Sequence, residues 1–245
     1  MFRRKKSQPL QQSAAITMAL PSAAISEQFR VLRTNIRFSL MDTSLRSLAI
    51  TSASNNVGKS TVAINLAITI AQQGKRVLLA DCDFRRPTVH EHFALPNVHG
   101  LTDLLNNPTG VVQDYVQATR LADLSVLTGG PTPPNPAELL SSRRMIHLEK
   151  EFEEQFDLII YDTPPLLGFA DAQIVAGRAE GTIFVVQHGV STKSDTEKAS
   201  EALKRVNANV LGAVYNRVPV NAEDANRHHY YQTKVNPISK QNGNG

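Results

Sequence analysis

The feature that most constrains this chain is a small-residue loop placed between an apolar strand and an apolar helix. Residues 48–52 read as a buried strand, and residues 62–73 follow a helical pattern. Between them, residues 53–57 are small or polar and lead into Gly-Lys-Ser-Thr at 58–61. In such a loop, backbone N–H groups and the start of the helix favour a polyphosphate, and a lysine supplies a cation. The sequence therefore predicts a nucleoside triphosphate site.

Within this loop, the lysine and the residue after it have separate predicted roles. Lys59 is expected to contact the β and γ phosphates, and Ser60 is the expected Mg²⁺ ligand. Ala53 stands where the standard motif has glycine, and Asn56 where many similar loops do. Asparagine is the non-glycine residue that most readily enters left-handed backbone, so we expect the loop to form. The alternative is a strand-to-helix turn that contains Gly-Lys-Ser by accident. The remaining predicted nucleotide contacts in the loop are Ser54, Asn55, Asn56, Val57, Gly58 and Thr61.

Acidic residues stand at the ends of two further predicted strands. Asp81 and Asp83 are at the end of the strand at 76–81, and Asp162 follows the strand at 157–161. Parallel strands place their carboxyl ends at one edge of the sheet, so these carboxylates should lie beside the phosphate loop. There Asp83 and Asp162 are expected to orient Mg²⁺ through water. Each aspartate alone has an alternative as a helix-capping or turn residue.

Together these segments resemble the bacterial tyrosine kinases encoded with capsule and exopolysaccharide genes. The resemblance rests on the phosphate loop, the Asp-Cys-Asp-Phe-Arg-Arg-Pro strand end at 81–87, and Tyr-Asp-Thr-Pro-Pro at 161–165. Segments 127–141 and 27–35 extend it, so that it covers about residues 24 to 220. The chain looks like the cytoplasmic kinase of a split pair, whose membrane-spanning activator is a separate protein.

The resemblance implies a tyrosine kinase that uses ATP and Mg²⁺. It implies catalytic roles for Lys59, Asp81, Asp83 and Asp162, with Asp81 accepting or orienting the tyrosine proton. The strand at 210–215 ends in Asn216 and Arg217. The Asn216 amide has a donor and an acceptor and is expected to face the adenine edge. Its alternative is a turn asparagine.

Two more segments carry expectations from the same resemblance. Glu27, Arg30 and Arg33 lie along the first predicted helix, and in the resembling kinases this segment packs on a neighbouring subunit and closes a ring. The alternative is a solvated face with local ion pairs. Tyr230 and Tyr231 near the C-terminus are the expected phosphate acceptors. The related kinases often carry a longer tyrosine cluster there.

Composition and charge agree with a cytoplasmic protein. The single cysteine cannot form an internal disulfide, and no apolar run approaches the ~20 residues that cross a bilayer. The net charge is +4, but the basic residues are scattered and no groove-reading motif is present, so we expect no nucleic acid partner. The resemblance implies a homo-oligomer, the membrane activator, a tyrosine phosphatase, and recruitment to the inner face of the membrane.

The predicted organisation is one α/β domain between two tails. Residues 1–23 are a flexible lead, 24–220 a kinase domain, and 221–245 a disordered, tyrosine-containing tail. Alternating strands and helices predict a P-loop NTPase-like parallel sheet covered by helices on both faces. The predicted strands lie near 47–52, 76–81, 124–128, 157–161, 182–187 and 210–215.

Two other functions remain open from the sequence. A partitioning-type ATPase would share the fold, but its signature lysine five residues before the loop lysine is replaced here by Ser54. A nucleotide-dependent scaffold without catalysis would not need Asp81, Asp83 and Asp162. The tail tyrosines also favour the kinase over the partitioning ATPase.

Overall fold

A seven-stranded sheet forms the centre of the molecule in the computed structural model, which describes residues 15–39 and 45–219. The strand order is β3-β4-β2-β5-β1-β6-β7, and every neighbouring pair is parallel except β3 with β4. The two-residue strand β3 was not predicted, because it is too short to show a pattern and pairs through a tight reversal. The strands are β1 (Ser47–Ser52), β2 (Val77–Asp81), β3 (Gln117–Ala118), β4 (Leu124–Leu127), β5 (Leu158–Asp162), β6 (Gly181–Gln187) and β7 (Val210–Asn216).

Helices cover both faces of the sheet, as the sequence predicted. Side chains alternate along each strand, so Leu48 and Ile50 of β1 pack with one group of helices and Ala49 with the other. The first four helices lie on one face and the last five on the other. The helices of the described residues are α1 (Ile16–Ala19), α2 (Ala24–Phe38), α3 (Lys59–Ala71), α4 (Val89–Phe93), α5 (Leu101–Asn106), α6 (Pro136–Ser141), α7 (Arg143–Gln155), α8 (Asp171–Ala176) and α9 (Lys193–Arg205).

The order of the central strands fixes where the acidic residues lie. Strands β1, β2 and β5 are buried along their whole length, and β5 runs between the other two. In the ladder, Asp162 is opposite Asp81 on one side and Ile50 on the other. The carboxyl end of β5 therefore brings Asp162 next to both the acidic end of β2 and the loop that follows β1.

The predicted flexible lead differs from the structure at residues 15–23. Helix α1 packs on α3, where the backbone N–H and hydroxyl of Thr17 both donate to Asn65 Oδ1, at 2.8 and 2.9 Å. Ala15 is buried as well. A four-residue helix is too short to produce a periodic pattern, and its contacts with α3 are tertiary. The predictions for residues 1–14 and 221–245 lie outside the described residues.

No helix within 15–39 and 45–219 is both long enough and apolar enough to cross a bilayer.

Candidate nucleotide-binding site

The phosphate loop forms as predicted, and two of its residues are left-handed. Asn56 has a φ of 61° and Gly58 a φ of 94°, so asparagine replaces glycine at the first of these positions without loss of the loop. Ala53 and Val57 are both buried. They fix the loop to the core at each end, and helix α3 begins directly after Gly58.

A cleft of about 330 Å³ opens above this loop. Most of the predicted loop contacts line it, but Ser54 and Val57 do not. The carbonyl of Ser54 accepts a hydrogen bond from the Ser52 hydroxyl at 2.7 Å instead. Lys59 is 7 % exposed and projects from the start of α3 into a largely enclosed position. The lining residues are Asn55, Asn56, Gly58, Lys59, Ser60, Thr61, Asp83, Arg86, Thr88 and Arg217.

Asp83 is the carboxylate among the residues that line the cleft. Its Oδ1 accepts a hydrogen bond from the backbone N–H of Arg86 at 3.1 Å, which fixes the side chain at the cleft wall. Burial raises its pKa above the ordinary value, although that hydrogen bond and the Lys59 charge act in the opposite direction. Asp83 therefore presents its carboxylate at the wall of the cleft, held there by a backbone N–H.

Asp81 lies behind the cleft and does not line it. It is fully buried, and its two oxygens accept hydrogen bonds from the backbone N–H groups of Asp83, Thr88 and Val89, each at 3.1 Å. Burial, together with the nearby charge of Asp162, raises its pKa well above the usual range. This carboxylate anchors residues 83–89 to the end of β2. The predicted contact of Asp81 with a tyrosine proton is not tested by this arrangement. The strand pattern could place the residue but not the direction of its side chain.

Asp162 is buried, and neither of its oxygens makes a hydrogen bond within the described part of the chain. Burial raises its pKa to about 7, while the Lys59 charge and the neighbouring Ser60 hydroxyl act to lower it. Burying an ionised carboxylate without a hydrogen bond costs free energy. A carboxylate in such a position is suited to bind a cation or a cation-bound water.

The residues present fit a Mg²⁺ ion bound with water. The Ser60 hydroxyl and the Asp162 carboxylate are oxygen donors of the kind this ion prefers, beside the phosphate loop. Residues 15–39 and 45–219 contain no cluster of three or more His, Cys, Asp or Glu side chains that could enclose a metal. Mg²⁺ does not require such a cluster, because it usually keeps several waters and shares substrate phosphates.

The end of β7 meets the phosphate loop from the opposite side. The Asn216 Nδ2 donates to the Val57 carbonyl at 2.9 Å, and its Oδ1 accepts from the backbone N–H of Arg217 at 2.9 Å. Arg217 lines the cleft, and its guanidinium donates to the Gln187 side chain at 3.2 Å. The predicted adenine contact of Asn216 is not tested by this arrangement, in which both amide atoms bond within the protein.

Three residues of the site had no predicted role. Arg86 and Thr88 line the cleft, and the Thr88 hydroxyl is 3.4 Å from that of Ser60. Arg85 pairs with the buried Asp171 at 2.7 Å, and its guanidinium lies 3.9 Å from the centre of the Phe169 ring. Arg85 and Arg86 closely follow the acidic end of a predicted strand, and this pattern could have indicated that they belong to the site. Nothing in the sequence singled out Thr88.

The residues predicted to join subunits lie on α2. Arg30 pairs with Glu27 at 2.7 Å and donates to the Pro21 carbonyl at 2.6 Å. Arg33 donates to the Thr69 carbonyl near the end of α3, at 2.6 Å, and is half-buried there. The local ion pair of the alternative interpretation is therefore present, and Arg33 also joins two helices. Tyr230 and Tyr231 lie outside the described residues.

A phosphate loop between a strand and a helix, beside acidic ends of neighbouring parallel strands, defines a P-loop nucleotide-binding protein. The sequence profile of the CobQ/CobB/MinD/ParA nucleotide binding domain matches residues 48–240. The chain is 45 % identical over 240 residues to the tyrosine-protein kinase YwqD of Bacillus subtilis, and the match covers 98 % of this chain and 100 % of that protein. It is 41 % identical over 211 residues to the putative tyrosine-protein kinase CapB of Staphylococcus aureus, covering 86 % and 91 %.

Solved structures agree with these relatives. The chimerical protein CapA2B2 matches with a TM-score of 0.81 at 40 % identity, covering 84 % of this chain and 91 % of that one. The kinase domain of the Escherichia coli tyrosine kinase ETK matches with a TM-score of 0.81 at 32 % identity, covering 91 % and 85 %. The chain belongs to the bacterial tyrosine-protein kinases within the CobQ/CobB/MinD/ParA family, which confirms the family, the fold and the kind of enzyme predicted from the sequence.

Proposed function

We propose that this tyrosine kinase transfers the γ-phosphoryl group of Mg²⁺-ATP to tyrosines of its own kind, and that it acts in capsule or exopolysaccharide synthesis. The observation that carries the proposal is the Asp162 carboxylate, which is buried beside Ser60 and Lys59, two residues that line the cleft, and makes no hydrogen bond with any described residue. The acceptors proposed are Tyr230 and Tyr231 of a neighbouring subunit.

Catalysis here is mainly positioning and neutralisation of charge, because phosphoryl transfer needs little covalent work from the protein. Lys59 and the loop N–H groups hold the β and γ phosphates. Ser60 and Asp162 hold Mg²⁺, which when bound neutralises charge on the phosphate oxygens. Arg86, at the cleft wall, adds a second cation near the transferred group.

Asp81, the last residue of β2, and Asp83, just after it, have different proposed roles. Asp83 lines the cleft and orients the tyrosine hydroxyl or the water around the metal ion. Asp81 holds the backbone of 83–89, and through it the positions of Asp83 and Thr88. This division differs from the sequence prediction, in which Asp81 contacted the tyrosine.

A separate membrane protein is the proposed activator. The match covers all of YwqD but only 32 % of the length of the tyrosine-protein kinase wzc of Salmonella typhimurium. The same kinase region thus occurs both as a whole protein, in YwqD, and as one part of a longer chain, in wzc. We propose that this kinase acts at the inner face of the membrane as a ring-shaped homo-oligomer, and that a tyrosine phosphatase reverses the modification.

The partitioning-type ATPase is less well supported than the kinase. The MinD cell division ATPase of Pyrococcus furiosus matches with a lower TM-score of 0.60 at 25 % identity. The position of its class's signature lysine is Ser54 here, and that residue does not line the cleft.

The direct test is incubation of the full chain with Mg²⁺-ATP, with and without the cytoplasmic tail of a candidate activator. Intact mass and phosphosite mapping should show phosphotyrosine that appears, or increases strongly, with the activator. Lys59→Met should abolish it while the protein remains folded, because the variant removes a cation at the cleft and leaves the core unchanged. Steady ATP hydrolysis without any phosphotyrosine would instead favour the ATPase.

A further inference from the structure

The side chain of Asn216 contacts a part of the chain 159 residues away. Its Nδ2 donates to the carbonyl of Val57, inside the phosphate loop, at 2.9 Å. Val57 is itself fully buried, so this carbonyl belongs to a fixed part of the loop. The Oδ1 of the same amide accepts from the Arg217 N–H. The whole amide is therefore oriented by hydrogen bonds within the protein.

The contact is close packing as well as a hydrogen bond. Gly58 follows Val57 and has a φ of 94°, which side-chain-bearing residues rarely adopt. A Cβ built on Gly58 would lie 2.1 Å from the Asn216 Nδ2. The amide therefore occupies the space directly over the glycine that precedes Lys59. The phosphate loop and the end of β7 can pack this closely only because Gly58 has no side chain.

The strand end that carries Asn216 is held firmly. The backbone N–H of His188, just after β6, donates to the Asn216 carbonyl at 3.0 Å, and Arg217 bonds the Gln187 side chain. Strand β6 lies between β1 and β7 in the sheet. The loop after β1 and the end of β7 therefore meet at the end of β6, and the Asn216 amide joins them from an anchored position.

From this geometry we infer that Asn216 is a positioning residue that holds the phosphate loop in its binding shape before the nucleotide arrives. The inference rests on the proposed nucleotide site and changes the role of this residue within it. A preorganised loop loses less conformational freedom on binding, so the contact adds to affinity for the phosphates. A residue that reads the base would add affinity for adenine alone.

The two roles separate when ligands with and without the base are compared. Binding of ATP, of ITP and of inorganic tripolyphosphate, each with Mg²⁺, would be measured by calorimetry on the full chain and on Asn216→Ala. We expect all three affinities to fall by a common factor of about ten, because one hydrogen bond to the loop is lost in each case. A fall for ATP with no change for tripolyphosphate would assign Asn216 to the base and overturn the inference, as would unchanged binding of all three.

Asn209 provides a matched control at the other end of the same strand. Its Nδ2 donates to the Glu180 carbonyl at 2.7 Å, away from the cleft. Asn209→Ala should leave all three affinities unchanged, and thermal unfolding of both variants separates loss of fold from loss of binding. If Asn216→Ala does not fold, Asn216→Ser keeps a polar group that is too short to reach Val57, and the same common factor is expected.

The wild-type chain distinguishes failure of this inference from failure of the site. If wild type binds Mg²⁺-ATP and the variant loses only the contribution of the base, the nucleotide site stands and the positioning role is wrong. If wild type binds neither ATP nor tripolyphosphate, both are wrong.

Discussion

Asp157, just before β5, and Asp162, its last residue, have pKa values shifted in opposite directions. Burial raises the pKa of Asp162 from 3.8 to about 7. At the start of the strand, hydrogen bonds from Arg76 lower the pKa of Asp157 from 3.8 to about 2. Above pH 7 the Asp162 carboxylate therefore lowers the free energy of unfolding, whereas the Asp157 carboxylate raises it.

We predict that Asp162→Asn stabilises the metal-free protein at pH 8 and has little effect at pH 4. Between about pH 4 and 7 the folded protein holds a proton on Asp162 that the unfolded chain has released, so this group makes stability fall as pH rises. The gain should be on the order of 1 kcal/mol or more, since one pKa unit corresponds to about 1.4 kcal/mol. Urea unfolding in EDTA measures it.

Asp157→Asn serves as the opposite control. It should lower the free energy of unfolding at pH 8. The difference from wild type should shrink as pH falls from about 4 through 2 and vanish only below 2, where the Asp157 carboxyl is protonated in both states. If Asp162→Asn were instead destabilising at pH 8, the stabilisation of the carboxylate by Lys59 and Ser60 would outweigh the cost of its burial.

Asp81 and Asp83, at the end of β2, give a second prediction. Asp83→Asn should lower the rate of phosphotyrosine formation about 10²-fold or more, with little change in ATP affinity, because it removes a carboxylate at the cleft wall. Asp81→Asn should lower the unfolding temperature and weaken ATP binding, because its amide N–H₂ would face backbone donors of residues 83–89. Stopped-flow or quench kinetics and thermal unfolding separate these effects. A stable Asp81→Asn protein that binds Mg²⁺-ATP but transfers nothing would return the tyrosine contact to Asp81.

At the scale of elements, α2 combines a contact within the subunit with a proposed contact between subunits. Arg33 bonds the end of α3, whereas Glu27 is exposed and its ion pair with the partly exposed Arg30 contributes little to stability. Arg33 thus joins α2 to α3, and among the described residues the Arg30 side chain bonds only the nearby Pro21 carbonyl and Glu27, so that Glu27 and Arg30 are the residues proposed to contact a neighbouring subunit.

We predict that Glu27→Ala with Arg30→Ala disrupts the oligomer but leaves the unfolding temperature nearly unchanged. Arg33→Ala should destabilise the subunit by about 1 kcal/mol, the cost of a lost hydrogen bond at a half-buried carbonyl. Sedimentation velocity and thermal unfolding report the two effects. The exposed Lys193–Glu197 pair on α9 is the control, and its double alanine variant should change neither. An intact oligomer in the first variant would make the α2 pair an ordinary solvated ion pair.

Elements that are long and fully buried were predictable, while those made by distant contacts were not. Strands β1 and β2 were placed within one residue, because an apolar run bounded by polar residues is a strong local pattern. Helix α1 and strand β3 were missed, since each is set by the surface it meets. In the site, the strand pattern correctly gathered three aspartates but could not show that Asp81 faces backbone N–H groups. The contact of Asn216 with Val57 joins residues too far apart for any local signal.

At the scale of the whole molecule, the charge of the cleft affects a proposed acceptor tyrosine differently before and after phosphorylation. Tyrosine must approach a site whose phosphate-binding side is cationic, with Lys59, Arg86 and Arg217. Once phosphorylated, each tyrosine carries about −1.5 to −2 charge and faces a site already filled with nucleotide phosphates and carboxylates. Product should therefore leave the neighbour's cleft, which would weaken contacts between subunits.

The final prediction follows from the negative charge that phosphorylation adds to the acceptor tyrosines. A tyrosine held near the next subunit's cleft in a ring has a high effective concentration there, so Tyr230→Phe with Tyr231→Phe should remove most autophosphorylation while ATP binding is unchanged. Phosphorylated wild type should shift towards monomer in sedimentation, and the double variant should remain an oligomer with ATP present. Tyr215→Phe is the control, because Tyr215 is 57 % exposed but its hydroxyl bonds His188 at 2.7 Å on a regular strand. Undiminished phosphotyrosine in the double variant, mapped to Tyr215, would place the acceptor on β7 and remove the charge argument for disassembly.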